Sequence, residues 1–135
     1  MSIFASSTVL NKYRVLSELG RGGMGRVWQA EEITFGNRPV AIKEPRTDIP
    51  AADLEEMKRR YQQEVQIYFA LQKVGAPNLV QVYTVERFED NELLVMAYMP
   101  GGDLQRLLRQ HPNGLPLEKA LGITAAVLGL SLIHI

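Results

Sequence analysis

The chain has 135 residues, 46% of them hydrophobic and 22% charged, which suits a packed globular unit and excludes a disordered one. Fifteen basic residues balance fifteen acidic ones, so charge makes no case for a nucleic acid or a membrane surface as partner. No cysteine is present, which excludes disulfides, thiolate zinc sites and thiol catalysis, and the separated His111 and His134 make a poor metal-ligand set.

Residues 1–7 lack the basic start and apolar core of a signal peptide. Residues 1–11 read as a flexible lead-in, and a reducing, cytoplasmic setting is the default expectation. Residues 13–19 mix apolar and polar side chains like a half-exposed strand. Gly20-Arg21-Gly22-Gly23-Met24-Gly25 follows, and residues 26–31 read as the antiparallel partner. Gly36-Asn37 marks a turn, and residues 38–44 form a third strand rich in Val and Ile. Pro45 and Pro50 bracket a linker. A long helix is predicted over 51–74, capped by Asp53 or a neighbour. Leu54, Met57, Tyr61, Val65, Tyr68 and Leu71 recur at helical steps and give it one apolar stripe. The segment 75–78 ends it. Two more strands are predicted over 79–85 and 92–98, joined by a turn at 88–91. Pro100-Gly101-Gly102 breaks the pattern, Asp103 caps a short helix to about Arg109, and a further helix starts near Pro116 or Leu117. Three strands, one helix, two strands and then helices make an α+β chain.

The tail is unusual. Residues 121–135 carry no Asp, Glu, Lys or Arg, yet the run is shorter than the ~20 residues a spanning helix needs. It reads as the start of a buried helix. Leu130-Ser131-Leu132-Ile133-His134-Ile135 matches a translation of the mosaic-end adapter of transposon-based sequencing libraries. Residues 130–135 are therefore expected to be a library scar outside the fold.

The glycine run allows several readings. Glycines let the backbone approach phosphates closely and take conformations that a Cβ forbids. A dinucleotide fold also uses G-x-G-x-x-G, with an acid downstream for which Glu44 would serve, but it needs a helix directly after the glycines. Residues 26–39, with Trp28, Thr34, Gly36 and Pro39, make a poor helix. A P-loop needs Gly-Lys-Ser/Thr, whereas Gly25 is followed by Arg26-Val27. A glycine-rich hairpin without a ligand is the plain structural alternative.

The residues downstream favour a different reading. Gly20-x-Gly22-x-x-Gly25-x-Val27 with Val40-Ala41-Ile42-Lys43 resembles the glycine-rich loop and third strand of protein kinases. Pro77-Asn78-Leu79-Val80 resembles that family's entry to the fourth strand, and residues 94–104 resemble its hinge. The Gly-Gly-Met-Gly form looks most like the bacterial, eukaryotic-like (Hanks-type) Ser/Thr kinases. The resemblance implies a small lobe and hinge over 12–99, with a five-stranded antiparallel sheet and one long helix, and the start of a truncated large lobe over 100–129.

For the site, the resemblance implies Lys43 on the α- and β-phosphates of ATP, with Glu64 on the following helix fixing the lysine. The backbone of Gly20, Arg21, Gly22, Gly23, Met24 and Gly25 would cover the β- and γ-phosphates. Leu19, Val27, Ala41 and Val80 would sandwich the adenine, with Met96 behind it. The backbones of Ala97 and Met99 would bind its edge, and Asp103 the ribose. The implied cofactors are ATP and Mg2+, and the implied partners are protein substrates. No protein metal ligand falls in this segment, and no membrane or nucleic-acid contact is expected of it. The His-Arg-Asp and Asp-Phe-Gly motifs, which carry the catalytic aspartate and metal ligands in this family, do not occur in the 135 residues. The chain alone is therefore expected not to transfer phosphate, and an exposed apolar face on its last helix is expected to limit solubility. Two alternatives stand beside an active parent kinase. One is a pseudokinase that acts as an ATP-binding scaffold, and the other is a small-molecule kinase of related fold.

Overall fold

The computed structural model describes residues 7–22, 25–75, 78–89, 91–101 and 104–134. In chain order the elements are β1 (Thr8–Val9), β2 (Tyr13–Gly22), β3 (Gly25–Glu32), β4 (Arg38–Pro45), α1 (Ala51–Lys73), β5 (Val82–Phe88), β6 (Asn91–Ala97), α2 (Leu104–Arg109) and α3 (Leu117–His134). A single 3-10 turn, Ile33–Phe35, precedes the Gly36-Asn37 turn, where both residues have positive φ. The strands form one antiparallel sheet in the order β1-β2-β3-β4-β6-β5.

Side chains of a strand alternate between faces, and here the two faces do different jobs. Val40 and Ile42 of β4 point to one side. There they join Trp28, Ala30 and Val95 in a core that also takes in Val9 and Tyr13 from the start of the chain. Each fully buried Val, Leu or Ile in such a core contributes about 1.5–3 kcal/mol. Ala41 and Lys43 point to the other side, the side on which α1 lies. Tyr61 and Val65 of α1 pack there on Val82 and Leu94.

The structure departs from the sequence-based expectations at four places. The sheet has six strands rather than five, because Thr8–Val9 pairs with Arg14 and Tyr13. Within the expected lead-in, Val9 is 2% exposed and belongs to the core. The strand expected from residue 79 starts only at Val82. Finally, Asp53 does not cap α1. The N-cap is Pro50, with no side-chain cap bond, and the Asp53 N–H itself donates to the Pro50 carbonyl at 2.9 Å. Asp53 instead sits in the first turn, where a carboxylate favours the helix dipole. At the other end Gly75 has φ 71°, and its N–H donates to the Gln72 carbonyl at 3.1 Å, which closes the helix.

On the predicted apolar stripe, Tyr61, Val65 and Leu71 are buried, while Leu54, Met57 and Tyr68 are half-buried. Beyond the sheet, Leu117 and Leu121 of α3 are exposed. No helix among the described residues is long and apolar enough to cross a membrane.

Two tyrosines make the fold sensitive to alkali. Burial pushes the hydroxyls of Tyr13 and Tyr61 well above the usual phenol value, and the Glu86 carboxylate raises Tyr13 further. The folded state therefore keeps these protons to higher pH than the unfolded chain does. Their stabilising contribution is complete below about pH 10 and is lost as pH rises through the folded-state values. Thermal midpoints of the wild type are expected to fall above about pH 10, and Tyr61→Phe to fall less steeply. Equal slopes for the two proteins would refute this account.

Candidate functional site

Lys43 lies near the end of β4, on the face that carries α1. Its Nζ donates to Glu64 Oε1 at 2.5 Å, with the two side chains 19% and 28% exposed. The pair is thus partly shielded yet reachable from solvent. Tyr61, three residues before Glu64, donates its hydroxyl to the Lys43 backbone carbonyl at 2.7 Å. Helix and strand are therefore joined at Lys43 by both its backbone and its side chain.

The β2–β3 hairpin is the sheet neighbour of this strand. Gly20 pairs with Val27, Arg21 with Arg26 and Gly22 with Gly25, while Val27 pairs across β3–β4 with Lys43. Gly25 and Gly20 serve different needs. A Cβ at Gly25 would lie 1.9 Å from the Glu44 carbonyl oxygen, whereas a Cβ at Gly20 would meet nothing within 4 Å. Arg21 reaches back along β2 to an ion pair with Glu18. Gly23 and Met24 lie outside the described residues.

Of the residues expected around an adenine ring, Val27, Ala41 and Met96 lie on the same face as Lys43. Ala41 is buried on β4 and pairs with Met96 on β6. Val27 and Val80 are half-buried, and Leu19 is exposed at a register shift of β2. The Ala97 N–H donates to the Gln81 carbonyl at 2.9 Å, so this N–H is already engaged. Met99 follows β6 and is exposed. Asp103 lies outside the described residues. Among the described residues no group of His, Asp or Glu is placed to hold a metal ion.

The geometry also removes the dinucleotide reading of the glycine run. After the glycines comes the strand β3 and not a helix, which the dinucleotide fold requires. Glu44 is buried on the opposite face of the sheet, where it accepts a hydrogen bond from Trp28 Nε1 at 3.2 Å. It is thus turned away from the Lys43 side.

Sequence reasoning missed two polar side chains that hold α1. Tyr61 read only as part of an apolar stripe, although a hydroxyl on an inward stripe needs a partner. Gln72 gave no signal, because a glutamine near a helix end ordinarily faces water.

A family model for the protein kinase domain matches residues 13–135. The "Probable serine/threonine-protein kinase PknB" of Lactococcus lactis subsp. lactis (strain IL1403) is 33% identical over 118 residues, which is 87% of this chain and 18% of that protein. The "Serine/threonine-protein kinase pkn2" of Myxococcus xanthus is 33% identical over 124 residues, 91% of this chain and 14% of that protein. The "Serine/threonine-protein kinase PrkC" of Bacillus subtilis (strain 168) is 34% identical over 100 residues, 74% of this chain and 14% of that protein. The chain thus spans less than a fifth of the length of these relatives.

Proposed function

Because the chain belongs to the protein kinase family, we propose that it supplies the ATP-binding part of an enzyme that transfers the γ-phosphate of ATP to Ser or Thr of protein substrates. The observation that carries this reading is the Lys43–Glu64 ion pair, formed on the strand next to the glycine-bearing β2–β3 hairpin. On this reading residues 12–99 are the small lobe and hinge, and residues 100–129 begin the large lobe.

The roles follow from charge and shape. Lys43 places one positive charge against the α- and β-phosphates, and Glu64 holds that ammonium on the correct rotamer. The backbone N–H groups of Gly20 to Gly25 close over the β- and γ-phosphates. Small Ala41 leaves room for the adenine, with Leu19, Val27 and Val80 as its walls and Met96 behind. The Ala97 carbonyl and the Met99 backbone take the adenine edge, and Asp103 takes the ribose hydroxyls.

Magnesium would reach this chain on the nucleotide phosphates, where it neutralises charge. Phosphoryl transfer depends mostly on positioning and charge neutralisation. These residues supply the nucleotide half of that task, and a catalytic aspartate is absent from the sequence motifs present. The chain alone is thus an ATP-binding unit without transferase activity.

Titration of the purified chain with Mg-ATP tests the reading. Wild type is expected to bind, Lys43→Met to lose binding or retain it only weakly, and neither to label an acceptor from γ-labelled ATP. Unchanged affinity in Lys43→Met would reject the site.

A further inference from the structure

The side-chain amide of Gln72 bonds both backbone groups of one strand residue. Its Nε2 donates to the Val82 carbonyl at 2.7 Å, and the Val82 N–H donates to its Oε1 at 2.5 Å. Only one orientation of the amide satisfies both bonds, since its oxygen accepts and its nitrogen donates. Gln72 thus takes the place that a neighbouring strand would occupy at the start of β5. Val82 is itself 3% exposed, so water is a poor substitute.

Val82 pairs on its other side with Met96, and the preceding residue, Gln81, accepts the Ala97 N–H. One glutamine therefore ties the helix that carries Glu64 to the strand pair that carries Met96 and Ala97.

We infer that Gln72 is a positioning residue that keeps Glu64 in register with Lys43, an inference that rests on the nucleotide-site reading above. The apolar contacts of Tyr61 and Val65 with Val82 and Leu94 hold α1 against the sheet. Such contacts are non-directional and leave its rotation and axial position weakly fixed. Sliding a helix by one residue moves a side chain about 1.5 Å along the axis and turns it about 100°, enough to break a 2.5 Å ion pair. Directional bonds prevent this. The Tyr61 hydroxyl anchors α1 to β4 just before Glu64, and Gln72 anchors it to β5 about two turns after. Glu64 lies between the two anchors.

A double-mutant cycle on Mg-ATP affinity separates this role from plain stabilisation. In the full 135-residue chain, Gln72→Leu is expected to weaken Mg-ATP binding about fivefold, the size of a modest coupling within one network. In a Glu64→Gln background the same change is expected to have no further effect, because the group it positions has lost its charge. An equal loss in both backgrounds, or no loss from Gln72→Leu alone, would overturn the inference. If Gln72→Leu does not fold, Gln72→Glu takes its place with the same expectation, since it keeps the shape and the acceptor for Val82 N–H. Lys43→Met run alongside identifies the other failure. Wild-type affinity in that variant would refute the nucleotide site itself, and the positioning role with it.

Discussion

Gly25→Ala is expected to destabilise the chain by about 3 kcal/mol, the upper range for forcing an extra methyl into a packed site. The added Cβ would lie 1.9 Å from the Glu44 carbonyl oxygen and 3.2 Å from the Arg46 nitrogen. Both obstacles are backbone, so no side chain is able to swing aside. The strand ends must separate instead, which breaks the pairing of Gly25 with Pro45 and of Arg26 with Glu44. Gly20→Ala provides the contrast. Its Cβ meets no atom within 4 Å, so the fold is expected to accept it unchanged. Any loss of Mg-ATP affinity in Gly20→Ala then reports on the ligand and not on the fold. Urea unfolding of both variants decides the matter, and a wild-type midpoint for Gly25→Ala would refute the steric account.

Arg38→Leu is expected to cost a similar amount, for an electrostatic reason. Arg38 Nη2 donates to Glu32 Oε1 at 2.9 Å and to Oε2 at 3.2 Å, and Glu32 is only 3% exposed. The guanidinium also lies 3.8 Å from the centre of the Tyr83 ring and 4.6 Å from that of Phe35. Removing one partner strands a carboxylate away from water, at about 3–5 kcal/mol for a buried pair. Part of the Arg38 side chain reaches solvent, so about 3 kcal/mol is the expected cost. Replacing both partners, as Glu32→Leu with Arg38→Leu, is expected to recover most of it, because the stranded charge is then gone. Arg38→Lys is expected to recover part of it, since an ammonium restores a positive charge beside Glu32 but not the planar stacking on Tyr83 and Phe35. A loss below about 1 kcal/mol for Arg38→Leu would place this pair with ordinary surface ion pairs.

The parts of this fold that were legible in sequence are those with a period or a short motif. A mix of apolar and polar residues marked β2, a run rich in Val and Ile marked β4, and the 3.6-residue stripe marked α1. The two-residue strand β1 is too short to show any period, so Val9 read as part of a lead-in. Leu79 and Val80 looked like strand residues because they are apolar, yet pairing begins only at Val82. Asp53 looked like a cap by residue type, but the turn closes on Pro50 through backbone alone. In the site, Lys43 and Glu64 were legible because each lies in a pattern of fixed order. Gln72 was not, because its partner Val82 is brought to it by the path of the chain after Gly75, and no local rule specifies that path.

The sheet order also bears on how the molecule forms. The hairpins β2–β3 and β3–β4 join neighbours in sequence, so each closes a short loop at small entropic cost. The ladder of β4 with β6 joins Lys43 to Leu94 and Val40 to Ala97, across about fifty residues that include all of α1. Pairings of that span slow folding, since chain entropy is lost before the contacts repay it. Lys43 thus belongs to an early-forming meander, and Met96 and Ala97 to a strand that docks late. The β6 side of the site is thus expected to join Lys43 after the β2–β3–β4 meander has formed, and until then β4 presents an unpaired edge open to misassociation.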